Sequence, residues 1–176
     1  KETSPSPTLA DQFRMEQGTE IGRRARTLFP EGVLVSKESL AKAAAETAEL
    51  IRPGGPSELF EATFVEDGYA ARADVLTRIG DTWHLIEVKS NINLKPELID
   101  DLGYTLMVLN RAGLSISKAS LLLISKDFRL GMGDSDLFLR YDRTEDAHER
   151  ATQFQSIWDI IRDGTSATSM PPPSLI

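Results

Sequence analysis

The sequence contains no cysteine. Disulfide staples, zinc–thiolate fingers and cysteine-held iron–sulfur clusters are therefore excluded within it, and a reducing cytoplasm is the expected compartment. No apolar run is long enough to cross a bilayer. The opening stretch Lys1–Thr8 is polar and proline-bearing, without the apolar centre of a secretory signal. No segment repeats. Positive charge is also short: 20 Lys and Arg stand against 27 Asp and Glu, a net charge of -7. The bulk charge thus offers no strongly basic surface of the kind that holds a polyanion. What remains is an ordinary globular composition, 40% hydrophobic and 27% charged over 176 residues, enough for one domain with a real core.

Punctuation along the chain divides it clearly. Lys1–Thr8, rich in Ser, Pro and Thr, reads as a disordered lead-in over residues 1–8. From Leu9 to about Leu28 the spacing is helical, with Leu9, Phe13, Ile21, Ala25 and Leu28 as a broken apolar stripe. Phe29-Pro30-Glu31-Gly32 stops it, and Val33–Val35 reads as an apolar connector. Ser36 is the expected N-cap of a helix from Lys37 to about Arg52, ended by Pro53-Gly54-Gly55-Pro56. Three strands follow, Glu58–Val65, Tyr69–Ile79 and Thr82–Ser90, joined by short turns at 66–68 and 80–81, which implies an antiparallel meander.

A helix from Pro96 to Ala112 presents Leu98, Leu102, Leu106 and Leu109 on one face, with Gly113 placed to cap it. The continuous run Leu121–Ile124, within a strand from Lys118 to Ser125, suits a strand covered on both sides. Leu137–Arg143 reads as another strand, and Glu145 to about Arg162 as a last helix carrying Phe154, Ile157, Trp158 and Ile161. The Gly-, Ser- and Pro-rich stretch 163–176 reads as a linker belonging to a larger polypeptide. The expected fold is α/β: a mixed central sheet, an antiparallel meander plus a further strand, flanked by helices in a single domain over 9–162.

Strand alternation sorts the charged residues of the meander. In His84-Leu85-Ile86-Glu87-Val88-Lys89, Ile86 and Val88 share one face while Glu87 and Lys89 share the other. On the preceding strand Asp74 lies opposite Ala73 and Val75, and one strand earlier Glu61 alternates with Phe60, Ala62 and Phe64. Asp74, Glu87, Lys89 and Glu61 are thus expected on one rim. Hard cations such as Mg²⁺ prefer carboxylate oxygen. An ion held there can polarise a phosphodiester and activate water, while an adjacent lysine steadies the developing charge.

Asp74, then twelve intervening residues, then Glu87-Val88-Lys89 resembles the D…(D/E)xK signature of the PD-(D/E)XK nuclease superfamily, and most closely its RecB-like exonuclease branch, which includes the CRISPR-adaptation nucleases. The likeness spans about Gln12 to Ser125. Phe60–Phe64, Arg72–Leu76 and Leu85–Ser90 look like that branch's central strands, Asp101-Leu102-Gly103-Tyr104 like the following helix with the tyrosine of its Q-x-x-x-Y motif, and Gly18–Gly22 like its glycine-led first helix. The resemblance implies a restriction-endonuclease-like fold and a Mg²⁺- or Mn²⁺-dependent deoxyribonuclease using one or two ions. Asp74 and Glu87 would be ligands, the Val88 carbonyl a further one, and Lys89 the catalytic lysine. Gly22 stands where the branch often carries a metal-binding histidine, so that this metal contact is either lost or supplied by Glu20 or Glu61. Tyr104, Asp100 and Arg72 would lie on the substrate side, and DNA, single-stranded or an ended duplex, would be the partner, with no membrane. Ala73 stands in place of the namesake proline and Asp100 in place of the glutamine.

Each residue also has a plainer reading. An E-x-K triplet arises on any solvent-facing strand through cross-strand charge pairing. Glu61 and Glu20 suit exposed positions, Tyr104 suits a core edge, and Arg23, Arg24 and Arg26 suit the polar face of a helix. His84 fits a packed or edge position. The alternative function is a nuclease fold that binds nucleic acid or a protein partner without cutting, which the net charge of -7 favours.

Overall fold

In the computed structural model, residues 8–36 and 38–166 are described. The expected lead-in over 1–7, the linker from 167 onward, Lys37 and the Ile161 side chain lie outside the described residues. Helix α1 (Leu9–Arg26) starts where the apolar spacing begins. Thr8 is its N-cap: the Thr8 hydroxyl accepts from the Asp11 amide, and the Asp11 carboxylate accepts from the Thr8 amide. Only the second half of its apolar stripe packs. Leu9 and Phe13 are 84% and 60% exposed, whereas Ile21 and the fully buried Ala25 rest against the sheet.

The expected connector is instead a strand. Val33 and Leu34 form β1 (Val33–Leu34), which runs parallel to β2 (Glu58–Glu66) through Val33↔Leu59 and Leu34↔Phe60. Helix α2 (Leu40–Leu50) starts later than expected, capped by Ser39 rather than Ser36. It shields the outer edge of β2 where β1 has ended: the Thr47 hydroxyl accepts the Thr63 amide proton at 2.9 Å. A sheet amide that would otherwise be orphaned is thereby satisfied.

β2, β3 (Tyr69–Ile79) and β4 (Thr82–Lys89) make the expected meander. The Asp67-Gly68 turn, with φ of 47° and 83°, has the type I′ geometry that matches strand twist and fixes the Glu66↔Tyr69 register. Helix α3 (Pro96–Arg111) carries the chain across to β5 (Ile116–Ile124), parallel to β4. Gly113, at φ 84°, ends α3 in a Schellman motif: its amide donates to the Asn110 carbonyl and the Leu114 amide to that of Leu109. A short helix α4 (Asp134–Leu137) precedes β6 (Phe138–Asp142), antiparallel to β5, and helix α5 (Thr144–Ser166) closes the fold, running beyond Arg162.

The result is a mixed six-stranded sheet in the order β1-β2-β3-β4-β5-β6 between helices. α3 and α5 cover one face over Leu59, Leu85, Leu121 and Leu123, and α1 covers the other over Phe60, Val75, Ile86 and Leu122. The Leu98, Leu102, Leu106 and Leu109 face of α3 is buried as expected. On α5, Trp158 is buried and stacks on Tyr69, but Ile157 is 52% exposed. No helix among the described residues is long and apolar enough to cross a membrane.

Candidate functional site

The sheet forks at Asp74. β3 and β4 pair from Ile79↔Thr82 up to Val75↔Ile86 and then part. Beyond that rung β3 stays with β2, and β4 stays with β5 through Glu87↔Leu121 and Lys89↔Leu123. Parting leaves the Val88 amide without a strand partner. The Asp74 carboxylate fills the gap, accepting that proton at 2.8 Å. One aspartate therefore both closes the fork and is held rigidly within it.

Strict alternation breaks at the same place. Ala62, Phe64, Ala71 and Ala73 lie on the α3 side, whereas Phe60 and Val75 lie on the α1 side. The expectations that Ala73 and Val75 share a face, and that Phe60 shares one with Ala62 and Phe64, are thus corrected. Glu61 and Asp74 are the one rung missing between Phe60↔Val75 and Ala62↔Ala73, and Glu61 has a left-handed φ of 58°. A left-handed residue inside a strand shifts the side-chain parity of everything that follows. Sequence periodicity carries no sign of it.

On β4 the expected alternation holds. Ile86 and Val88 pack on the α1 side, and Glu87 and Lys89 turn to α3. Glu87 is buried, 5% exposed, and its Oε1 has no hydrogen-bond partner. Its carboxyl contacts those of Asp74 and the hydroxyl of Thr105. Burial first, and then the Asp74 charge, push the Glu87 pKa well above the usual carboxylate range. Burial also raises Asp74, against the Val88 amide, which favours its charged form. Lys89 Nζ lies 3.8 Å from Glu87 Oε2 and 2.7 Å from Asp101 Oδ2. Burial works against its charge, but Glu87 and Asp101 outweigh burial and keep its pKa raised. Asp101 and Thr105, four residues apart on one face of α3, hold the lysine and the glutamate. Their helical spacing is visible in sequence, but nothing there says which strand they meet.

The other candidates are placed as follows. Glu61 lies between Arg26 and Arg72, with nitrogen–oxygen distances of 3.5 and 3.9 Å, and its charge acts on Asp74. Glu20 is engaged by Arg23 through two hydrogen bonds of 2.8 Å and lines a separate groove with Ser90 and Ile124. Asp100 turns away to an ion pair with Arg150 of α5. The Tyr104 hydroxyl donates to the Ala70 carbonyl, and its ring meets Phe154 edge-on. Arg72 is exposed and reaches Thr63 at 3.4 Å as well as Glu61. His84 is buried and hydrogen-bonded to Ser120 at 2.8 Å, three residues before Glu87 on the paired part of β4. Among the described residues, no three His, Asp or Glu side chains converge as a ready-made metal cage. The acidic centre is a pair. A cavity of about 380 Å³ opens on Asp74 from the α1 side, lined by Gly18, Thr19, Gly22, Arg26, Glu61, Asp74 and Val88 among others. Glu87 and Lys89 turn to α3 instead, so the expectation of one rim shared by Asp74, Glu87, Lys89 and Glu61 is corrected: Asp74 stands at the junction, with Glu61 on the α1 side and Glu87 and Lys89 on the α3 side.

No family model matches the sequence, and no curated protein matches it. Among solved structures the chain is similar to an alkaline exonuclease, LHK-Exo, from Laribacter hongkongensis, at 16% identity and a TM-score of 0.40, covering 87% of this chain and 74% of that one. It is also similar to LHK-Exo in complex with dAMP, at 14% identity and a TM-score of 0.41, over 93% and 77% of the two chains.

Proposed function

We propose that this chain is a divalent-metal-dependent nuclease domain that hydrolyses phosphodiester bonds in DNA, as an exonuclease or end-processing enzyme. The observation that carries this reading is the Glu87 carboxyl: buried, pressed against Asp74 and with one oxygen lacking a partner. A buried carboxyl so placed is destabilising unless something positive meets it. The donor set suits a hard cation, Mg²⁺ or Mn²⁺: two carboxylates, with the Val88 carbonyl assigned as a further oxygen because the Val88 amide is already bonded to Asp74. When bound, one or two such ions would supply Lewis acidity toward the phosphate and lower the pKa of water.

The chain's own groups do the rest. Asp74 is fixed by the Val88 amide, so its second oxygen keeps a set direction. Thr105 of α3 stands beside Glu87 and favours its charged form. Lys89, held cationic and steered by Asp101, stands beside Glu87 where negative charge grows on the phosphorus oxygens. Glu20 and Glu61 are engaged by arginines, so the pair alone is assigned to the ion. Arg72, which meets the cavity residue Glu61, is assigned to the substrate side, whereas Tyr104, bonded to the Ala70 carbonyl and packed on Phe154, and Asp100 serve contacts of α3.

Glu87→Gln should lower Mg²⁺- or Mn²⁺-supported cleavage of DNA by at least about a hundredfold, with an unchanged circular-dichroism spectrum. A folded Glu87→Gln protein cutting at the normal rate would refute the assignment. The rival reading, a nuclease fold that binds without cutting, draws on the acidic net charge and on Asp100 and Glu20 being tied up in ion pairs. Calorimetric titration separates the two, because only the nuclease binds Mn²⁺ in a Glu87-dependent manner.

A further inference from the structure

Glu61 departs from its surroundings on three counts. It is a non-glycine residue with a left-handed backbone inside a strand, a strained conformation that needs support from its surroundings. Its rung is missing from the β2–β3 ladder although both neighbours pair. Its side chain is only 16% exposed, yet it draws in two arginines from different elements, Arg26 of α1 and Arg72 of β3. The contacts are long, 3.5 and 3.9 Å, against 2.7 Å for the hydrogen-bonded Lys89–Asp101 pair. The two guanidinium groups are thus gathered at one carboxylate by ion-pair contacts longer than a hydrogen bond. Arg26 and Glu61 line the same cavity as Asp74.

A guanidinium fork matches two kinds of anion equally well, carboxylate and phosphate. We propose that Arg26 and Arg72 form a subsite for a backbone phosphate next to the one at the acid pair, and that Glu61 gathers them until phosphate displaces it. This rests on the nuclease reading and deepens it, since it gives Glu61 to the arginines and not to the ion. A local basic pair also explains how a chain of net charge -7 holds a polyanion at all.

The test follows anisotropy of labelled single-stranded and duplex oligodeoxynucleotides in Ca²⁺ across a salt series, with Mn²⁺ calorimetry and Mg²⁺-supported cleavage in parallel. In an Arg26→Gln/Arg72→Gln variant, DNA affinity should fall about tenfold or more and the slope of log K against log salt should shrink by about one, while Mn²⁺ affinity stays unchanged. Arg26→Lys/Arg72→Lys should restore the salt slope, which excludes misfolding as the cause. Glu61→Gln should tighten DNA binding and leave Mn²⁺ affinity intact. An unchanged salt slope in the double variant, a wild-type chain that binds no oligonucleotide, or weakened Mn²⁺ binding in Glu61→Gln would each overturn the subsite. Failures of the two proposals separate cleanly. Arginine-dependent binding without cleavage overturns the nuclease and keeps the subsite, whereas cleavage insensitive to both arginines does the reverse.

Discussion

Glu87 is expected to destabilise the chain wherever no cation meets it. It is buried, its pKa is raised by burial and by Asp74, and one of its oxygens has no partner. A neutral isostere removes the buried charge and the repulsion while keeping a group for Thr105. Glu87→Gln should therefore stabilise the metal-free protein on the order of 1 kcal/mol, read as a higher Tm. The sign of the pH effect follows. Above the ordinary glutamate range the folded chain holds a proton that the unfolded chain releases, so wild-type stability falls as pH rises and the gap to the variant widens. A gap that is constant from pH 5 to 8 would contradict this.

His84 works in the opposite direction. Burial, then Arg140 and Lys118, bring its pKa down to about 4, against 6.5 for the free side chain. As pH drops from 6.5 toward 4 the unfolded chain takes up a proton that the folded chain refuses, so stability is lost across that window. His84→Gln should flatten the slope of Tm against pH between 4 and 6.5. Parallel wild-type and variant slopes would remove His84 from the acid response.

Between elements, α3 and α5 approach closely at Gly103. A Cβ on Gly103 would lie 2.7 Å from both Cβ and Cγ of Arg150, atoms too near the α5 backbone to swing aside. Gly103→Ala should cost about 1–3 kcal/mol in urea denaturation through overpacking. Gly18 and Gly22 on α1 meet nothing within 4 Å, so alanine there should be neutral or stabilising by up to about 1 kcal/mol through helix propensity.

The same contrast between local and distant causes explains what is legible in the sequence. β3 can be read at Tyr69–Ile79 because turns on both sides are written in adjacent residues, Asp67-Gly68 and Gly80-Asp81. The α3 face and its Gly113 cap are equally local. β1 escapes sequence reading because a two-residue strand has no periodicity of its own and exists only by pairing with β2. The N-cap of α2 falls on Ser39 and not Ser36 because both serines offer the same hydroxyl, and tertiary packing chooses between them. At the site, Glu87, Val88 and Lys89 follow ordinary alternation, and the family resemblance singles out Asp74. The parity break at Glu61 shows only in how β2 meets β3, which no window of residues records.

At the scale of the whole molecule, charge is unevenly distributed. Many acidic groups are engaged by nearby cations, as in Asp134 with Arg24, Asp67 with Arg111 and Asp100 with Arg150. Beside Asp74 the balance differs from the net charge of -7, because Arg26 lines the cavity there and Arg26 and Arg72 both meet Glu61. Bulk pI is a poor guide to partners when the functional charge is this local.

The outermost strands are two and five residues long, against eight to eleven for the four between them, and α2 caps part of what β1 leaves open. Little unsatisfied backbone is therefore offered to a neighbouring chain, and β6 carries Arg140 and Asp142 along its rim. At high concentration the molecule is thereby guarded against fusing edge to edge into fibres.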